Sequence, residues 1–451
     1  MLKLYRKSRQ SAIPPQPEFA PGSAIIQPFK QLMSNLSVLA GKRLKRIAIL
    51  VPLLSTVLVI VACGGSGAPT TAVAVQNAAF ISNTYTGNLQ IVNTQNDTTA
   101  YTQETTNSAG QVVPGAPVTI TVSSTTVSFE VLSPDKSTTL VYDPASSTLW
   151  ALDNSTDATS GQLPLVGPTS MAVFSPNSST AYVPVPSAPV SGARNGLVQV
   201  WTVATATNVA NYTVPAANSV AVTPDGQYLL VFSNNSDSVT VVNTTASPVT
   251  YASIPGFARP VNAFFAAGSD TAYVINCGQE CGSTTPASVT EFDVASQTIV
   301  ATVPVGGASV GLLSGTTLYV AGSPPVPAGT TPTFDAVNIA TMTRLTANSV
   351  PISDGFHTTM ALAQNNKLYI GASTCSNTTA GCLSVVNVSS NTADPPLPPR
   401  GNITSLLAIT GRNVVYAIEG GYLHIYDTST DTLQGTQITF IGALYGIVQV
   451  N

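Results

Sequence analysis

The stretch Ser219-Val-Ala-Val-Thr-Pro-Asp-Gly-Gln-Tyr-Leu-Leu-Val-Phe232 contains two apolar runs on either side of a Thr-Pro-Asp-Gly segment. Short runs of Val, Leu and aromatic residues bounded by turn formers are typical of β-strands, and Pro-Asp-Gly favours a tight turn. Altered copies occur at Met171–Val183 and Phe264–Val274. Each copy therefore predicts a strand, a turn and a second strand.

This unit recurs along the chain beyond residue 70. Aligning the second strand places equivalent residues 42 to 60 positions apart, at Phe80, Leu140, Tyr182, Leu230, Tyr273, Tyr319, Tyr369 and Tyr416. A third strand follows each of them and ends in a small polar residue, which is Asn or Asp in seven of the eight units. We interpret these residues as turn formers that bond their own backbone, and not as metal ligands.

Eight units of about four strands each predict an all-β fold, the β-propeller. A single blade cannot bury both faces of its sheet, but a ring of stacked blades can. The first unit has no strand before Ala79–Ile81, and the chain ends in the apolar run Ala443–Val450. We therefore expect the C-terminal strand to complete the first blade and close the ring. Eight four-stranded blades are favoured, and seven are the alternative because the first interval is 60 residues long.

Three motifs resemble the YVTN-type β-propellers of bacterial surface and exported proteins. The segments Thr223–Gly226, Ala272–Asn276 and Val241–Thr244 stand where that family has its Pro-Asp-Gly turn, its Tyr-Val strand and its Asp-Thr turn. The resemblance covers residues 71–451. It implies the blade fold but no particular function, because propellers host many unrelated activities.

The composition limits the partners that the protein can attract. Only 8% of the residues are charged, against about 25% in an average soluble protein. Residues 63–451 carry seven basic and 19 acidic side chains and contain no basic run. Nucleic acid is therefore not an expected partner, and a partner drawn by the field of the whole protein should be neutral or cationic.

The N-terminal region predicts export and attachment to a membrane. Basic residues at 42–46 precede the uncharged run Ile47–Ala62, which is typical of a signal peptide. As a helix this run would span about 24 Å, short of a bilayer core of about 30 Å. Its end, Ile60-Val61-Ala62-Cys63, resembles the lipobox of bacterial lipoproteins, which implies lipid attachment at Cys63. An ordinary signal peptide or a membrane anchor is the alternative.

Four segments follow from these patterns. Residues 1–32 are expected to be untranslated or disordered, with Met33 as the true start, and residues 33–62 to form the lipoprotein signal peptide. Residues 63–70 would be the lipidated tether, and residues 71–451 the propeller. The expected location is the bacterial cell envelope, and the lipoprotein resemblance implies the outer membrane or a site that faces the periplasm.

Four cysteines remain after Cys63, an even number in an oxidising compartment. Both pairs, Cys277 with Cys281 and Cys375 with Cys382, fall between the second and third strands of their blades. We predict that each pair forms a local disulfide, because blades 5 and 7 are not neighbours. A four-cysteine zinc site is the alternative, although the 93 residues between the pairs are unlike a zinc ribbon. No metal or cofactor is expected.

Long connections between the second and third strands predict one functional face. They occur in blades 3, 5, 6 and 7, and they emerge on the face of a propeller at which the inner strands begin. We call this the loop face. Insertions confined to one face indicate where binding residues should be sought.

Five residues are candidates for ligand binding on this face or in the channel. Arg194 lies in the long loop of blade 3, and Arg259 and His357 begin the inner strands of blades 5 and 7. Asp354 precedes His357, and Glu130 lies in the inner strand of blade 2. A nucleophile elbow, an HExxH helix and a P-loop are all absent from the sequence, so no catalytic residue is predicted.

Two functions are compatible with these observations. The first is a lipid-anchored, non-catalytic module that binds a cell-envelope polymer, a peptide or a protein through the loop face. The second is a hydrolase of the lactonase type, in which acids around the channel hold a metal or activate water. Glu130 is the clearest such acid, and one carboxylate makes a poor metal site. We expect the binding module and leave enzymatic activity open.

Overall fold

The described part of the chain belongs to the second of two structural units, 1–70 and 71–451. The computed structural model describes residues 77–99, 105–106, 112–113, 119–123, 126–323, 331–375, 381–435, 437–440 and 442–451. The predicted signal peptide, Cys63 and the tether lie outside these residues. No described segment is a helix with the length and apolarity needed to cross a bilayer.

The described strands form eight antiparallel sheets that follow one another along the chain, as the repeats predict. Blade 1 contains β1 Ala78–Asn83, β2 Asn88–Asn93, β3 Thr98–Thr99 and β6 Thr119–Thr121, and a two-stranded sheet of its own is formed by β4 Thr105–Thr106 and β5 Val112–Val113. Blade 2 contains β7 Glu130–Leu132, β8 Thr138–Asp143, β9 Thr148–Asp153 and β10 Ala158–Pro164. Blade 3 contains β11 Val173–Phe174, β12 Thr180–Val185, β13 Leu197–Thr202 and β14 Thr207–Thr213, and blade 4 contains β15 Ala217–Val222, β16 Tyr228–Ser233, β17 Ser238–Asn243 and β18 Thr250–Pro255.

Blades 5 to 8 repeat this order. Blade 5 contains β19 Pro260–Phe265, β20 Thr271–Asn276, the 3₁₀ turn Gly278–Cys281, β21 Ser288–Asp293 and β22 Thr298–Pro304, and blade 6 contains β23 Val310–Ser314, β24 Thr317–Gly322, β25 Thr333–Asn338, β26 Thr343–Arg344 and β27 Val350–Pro351. Blade 7 contains β28 Phe356–Leu362, β29 Lys367–Thr374, β30 Leu383–Asn387 and β31 Thr392–Ala393. Blade 8 contains β32 Ile403–Ala408, β33 Val414–Glu419, β34 Tyr422–Asp427 and β35 Thr432–Leu433, and the last strand of the chain is β36 Leu444–Gln449. The outer strand is split in two in blades 1 and 6, as β3 with β6 and β26 with β27.

The C-terminal strand closes the ring, as predicted. Strand β36 pairs with β1 in the register Phe80↔Val448 and Ile81↔Ile447, and so supplies the inner strand of blade 1. The Asn451 side chain then accepts a hydrogen bond from Ala78 N at 2.6 Å. Both ends of the described chain therefore meet in one blade.

Apolar residues fill the space between every pair of neighbouring blades. Alternation along β1 sends Ala78 and Phe80 into a cluster shared with blade 2, and Ala79 and Ile81 into a cluster shared with blade 8. Six further clusters join the other neighbours around the ring. Because each sheet buries both faces, burial of apolar area is the main stabilising term of the whole ring.

The predicted turn formers do bond their own backbone. Asn243, Asn338 and Asp427 each accept a hydrogen bond through the side chain from the N–H two residues later, at 2.8 to 3.1 Å. In the Thr-Pro-Asp-Gly turn, Asp225 accepts from the Thr223 hydroxyl at 2.6 Å. These contacts confirm a structural role for the repeated polar residues.

A buried ion pair reinforces the junction between blades 8 and 1. Both Asp97 oxygens accept hydrogen bonds from Arg412, each at 2.6 Å, and the Tyr416 hydroxyl also donates to Asp97 at 2.5 Å. Lys367 and Tyr369 contact Asp431 in the same way between blades 7 and 8. These contacts lie on the face opposite the loop face, where the turn between third and outer strands of one blade meets the start of the second strand, or the turn before it, of the preceding blade.

Removing residues 442–451 should destabilise the whole ring, because blade 1 loses its inner strand and both neighbouring interfaces become exposed. We expect a clear drop in the midpoint of thermal unfolding, together with a less cooperative transition. Far-ultraviolet circular dichroism measures both. A shortened chain that unfolds at the wild-type temperature would contradict closure by β36.

Replacing Arg412 with alanine should lower the free energy of unfolding by about 2 kcal/mol, because it leaves Asp97 without its cationic partner. Urea titration followed by intrinsic fluorescence provides the measurement. Arg194→Ala, in an exposed loop, is the matched control and should change stability by less than about 0.5 kcal/mol. Equal effects of the two substitutions would exclude a special role for the pair.

Candidate functional site

Two disulfides shape the loop face, and both join the cysteines that were predicted to pair. Cys277 bonds Cys281 and Cys375 bonds Cys382. The first closes the 3₁₀ turn after β20, in which Gly278 adopts φ +63°. A Cβ atom on Gly278 would lie 2.4 Å from Ala287 N, so only glycine fits this turn.

A cavity of about 310 Å³ opens beside this turn, where the inner strands of blades 4 and 5 begin. Amide and hydroxyl side chains make up much of its wall, together with one cation, one acid and two aromatic rings. The wall includes Asn218, Asn234, Asn235, Arg259, Glu280 and Phe356. They come from blades 4, 5 and 7, so the cavity belongs to the mouth of the ring.

The backbone conformation and hydrogen bonding of Arg259 fix this residue at the edge of the cavity. Its φ is +54°, an unusual value for a side chain of this size, and its N–H donates to Asp237 Oδ1 at 3.0 Å. The guanidinium donates from Nη2 to Gly282 O at 3.3 Å. Nε lies 3.7 Å from Asp237 Oδ1 and makes no hydrogen bond to the described residues. Nε is also shielded from solvent, so the partly exposed remainder of the side chain borders the cavity.

Glu280 links the disulfide turn of blade 5 to blade 6. Its Oε2 accepts a hydrogen bond from Ser323 N at 2.8 Å, while its enclosed Oε1 accepts none of normal geometry from the described residues. Burial raises the pKa of Glu280 to about 7, and the Ser323 N–H and Ser309 hydroxyl offset only part of that effect. At neutral pH the carboxyl is therefore divided between its acid and ionised forms.

Hydrogen bonds continue from Glu280 toward blade 7. The Ser323 hydroxyl donates to Gly355 O at 2.7 Å, and the Ser309 hydroxyl donates to His357 O at 3.1 Å. Three successive blades are thus tied together at the mouth. The walls of the cavity are already in place before any ligand arrives.

The other candidates on the loop face lie apart from the cavity wall. His357 is fully buried behind Phe356, and burial lowers its pKa to about 4, which the Ser353 backbone and the Asp354 charge oppose only in part. Asp354 is half-buried, and Arg194 is exposed in its loop. Of the five candidates, Arg259 is the one that lines the cavity.

Glu130 lies at the interface between blades 2 and 1. A Cβ atom on Gly446 would stand 1.8 Å from its Oε2 and 3.1 Å from the Ser82 hydroxyl, so the carboxyl fills the space that this glycine leaves. Both carboxyl oxygens are shielded from solvent. Burial raises the pKa of Glu130 to about 8, and hydrogen bonding around Ser82 offsets a smaller part. The carboxyl is thus mainly protonated at neutral pH.

Sequence reasoning missed Glu280, Phe356 and the three asparagines of the cavity. Glu280 stood inside the Cys277–Cys281 loop, and Phe356 stood next to His357, so both were adjacent to residues already singled out. Nothing in the local sequence distinguishes Asn218 or Asn234 from other loop amides. Across the described residues, no group of three or more His, Cys, Asp or Glu side chains is arranged to hold a metal ion.

Because Glu130 binds its proton more tightly in the folded protein, stability should fall between about pH 4.5, its ordinary pKa, and about pH 8. Below this range both states are protonated, and the full stabilisation is present. Glu130→Gln should remove a slope of up to about 1.4 kcal/mol per pH unit and be the more stable form above pH 8.

Urea unfolding at intervals from pH 4 to pH 9 measures this difference. Glu291→Gln, in the third strand of blade 5, is the control and should keep the wild-type pH profile. Parallel profiles for wild type and Glu130→Gln would contradict the burial of a protonated carboxyl.

Comparison with known proteins supports the fold and nothing more specific. No family model matches the chain, and no curated protein matches it. Among solved structures, the dihydro-heme d1 dehydrogenase NirN in complex with DHE is similar at 11% identity and a TM-score of 0.60, covering 83% of this chain and 75% of that one. Kuenenia stuttgartiensis hydrazine synthase is similar at 14% identity and a TM-score of 0.51, covering 69% and 96%. Such low identities show a shared β-propeller fold alone.

Proposed function

We propose that this protein is a lipid-anchored, extracytoplasmic binding module that recognises a component of the bacterial cell envelope without catalysis. The observation that carries the proposal is the cavity on the loop face, with its amide, hydroxyl, Arg259 and Glu280 lining. Concave sites with a few placed polar groups are the usual ligand sites of proteins.

The lining favours a ligand that both donates and accepts hydrogen bonds. Asn218 and Asn234 offer both functions through their amides, while Arg259 only donates. Glu280 contributes the charge of its carboxyl, whose Oε1 is shielded from solvent. Sugar hydroxyls and peptide groups have this mixed character, which agrees with an envelope polymer, a peptide or a protein as the ligand.

The rigidity of the site supports binding as its role. The Cys277–Cys281 disulfide constrains the turn that carries Glu280, and Ser323 holds the carboxyl across the junction with blade 6. A wall that is already ordered loses less conformational entropy when a ligand binds. Affinity can then arise from a modest number of polar contacts.

Attachment by a lipid at Cys63 is the part of the proposal that rests on the sequence. The run Ile60-Val61-Ala62-Cys63 resembles a lipobox, and the blade motifs resemble those of YVTN-type propellers. The proposed protein is therefore a YVTN-type propeller lipoprotein at the outer membrane or facing the periplasm.

One observation favours a hydrolase of the lactonase type as the second candidate. Glu280 has a pKa raised to about 7 and lines a cavity beside a guanidinium. A carboxyl with such a pKa can act as a general base toward water near neutral pH. The positive charge of Arg259 would then stabilise the developing oxyanion.

Co-sedimentation with purified peptidoglycan sacculi, which offer both sugar and peptide groups, tests the binding module. We expect the wild type to be retained and Asn218→Ala or Glu280→Gln to bind about five- to tenfold more weakly, because the first removes an amide that bonds the ligand and the second removes the negative charge of the carboxylate. Asn211→Ala and Glu291→Gln make the same changes outside the cavity and should bind like the wild type.

Hydrolysis of an aromatic lactone by the same variants separates the two functions. Turnover that Glu280→Gln abolishes, combined with sedimentation that no cavity variant changes, would contradict the binding module and favour the hydrolase. Retention that depends on the cavity, without turnover, supports the binding module.

A further inference from the structure

Exposed aromatic side chains are concentrated on one part of the loop face. Among the described residues five aromatic side chains are strongly exposed, and four of them lie at the loop-face ends of three successive blades. These four form what we call the aromatic arc: Phe356 in blade 7 (46% exposed), Tyr422 in blade 8 (57%), and Tyr445 (42%) and Tyr85 (76%) in blade 1. The fifth, Tyr251, lies on outer strand β18.

The fold does not require aromatic residues at these positions. Tyr445 is the second residue of its inner strand, and the equivalent residues of blades 4, 5 and 8 are Asn218, Val261 and Thr404. Because these tyrosines are exposed, their burial contributes little to the free energy of folding. A row of them on one face is therefore a feature that packing leaves unexplained.

The backbone under the arc is tightly held. Gly420 and Gly421, with φ of +59° and +86°, form the turn that presents Tyr422. The Thr404 hydroxyl donates to Tyr445 O at 2.6 Å and fixes the start of β36 against blade 8. Aromatic side chains on such supports lose little entropy when a ligand covers them.

The arc is continuous with the cavity, because Phe356 belongs to both. The cavity has its wall in blades 4, 5 and 7, and the aromatic arc continues from blade 7 through blade 8 to blade 1. A chain-like ligand could place one unit in the cavity and further units on the arc.

We propose that this surface binds an uncharged glycan chain, with sugar rings stacked on the aromatic arc and one sugar residue in the cavity. The inference rests on the proposed function and names the ligand class of that same site. A sugar ring has an apolar C–H face, which packs on an aromatic ring, and a rim of hydroxyls, which pairs with amides and Glu280. The acidic excess of residues 63–451 disfavours an anionic glycan.

A proline-rich peptide is the competing occupant, because such peptides also dock on aromatic surfaces. The amide and hydroxyl lining of the cavity favours the glycan, whose every residue offers several hydroxyl groups. The peptide has few donors, since proline lacks the N–H group. The two classes therefore differ most in what they can bond inside the cavity.

Calorimetric titration with β-1,4-linked N-acetylglucosamine oligomers of two and six residues tests the inference, with a decaproline peptide as the competing probe. We expect the hexamer to bind at least tenfold more tightly than the dimer. Tyr422→Ala and Tyr445→Ala should each weaken hexamer binding about fivefold and leave dimer binding unchanged, because a dimer with one residue in the cavity places the other on Phe356 and does not reach these tyrosines. Tyr251→Ala is the matched control and should bind both like the wild type.

The outcomes for the arc and for the cavity are separable. The arc is overturned if dimer and hexamer bind with equal affinity, or if the tyrosine variants do not change hexamer binding. The cavity is still supported as a binding site if Asn218→Ala abolishes dimer binding. Binding of decaproline in place of both oligomers overturns the glycan class. If neither oligomer binds, the inference is overturned, and sedimentation with sacculi decides the proposed function by itself. Unchanged urea midpoints for the exposed tyrosine variants ensure that any loss reflects binding.

Discussion

The burial of both faces of every sheet against its two neighbours is the constraint on which the rest of the structure depends. No blade has a core of its own, so the ring is stable only when all eight interfaces are filled. The last of them requires β36 to return to β1 across almost the whole described chain. The Asp97–Arg412 pair secures this junction at the face opposite the loops. Loop residues from distant blades hold their positions because the ring is closed beneath them.

Departures from the repeat mark the residues with unusual chemistry. In every blade, the residue of the second strand that the repeats align pairs with one residue of the inner strand. One position before that partner, seven blades have small or apolar residues, namely Ala172, Val220, Ala263, Gly311, Met360, Leu406 and Ile447. Blade 2 has Glu130 there, and burial in the interface raises the pKa of its carboxyl to about 8. His357 likewise stands where blades 5, 8 and 1 have Pro260, Ile403 and Leu444. Glu130 and His357 thus occupy positions that are apolar in other blades. Such exceptions to the repeat indicate a requirement other than packing between blades.

The loop face combines a rigid frame with side chains that remain available. Glu280, Ser323 and Ser309 connect blades 5, 6 and 7 by hydrogen bonds to the backbone. Arg259 and Glu280 add a cation and a partly ionised acid to the cavity wall. The long connections seen in the sequence thus do more than lengthen the loops, since one of them carries the acid that ties its blade to the next.

The sequence by itself determined the blades and the closing strand, and it favoured eight blades over seven and local disulfides over a zinc site. These features depend on alternation, turn formers and spacing, all of which act over a few residues or repeat at a fixed interval. It also located Arg259 at the start of an inner strand. Only the tertiary structure decided that Asn218, Glu280 and Phe356 share one cavity, while Glu130 lies sealed in an interface. Their neighbours come from other blades, and the closeness of two blades at the mouth follows from the geometry of the closed ring, which no local pattern encodes.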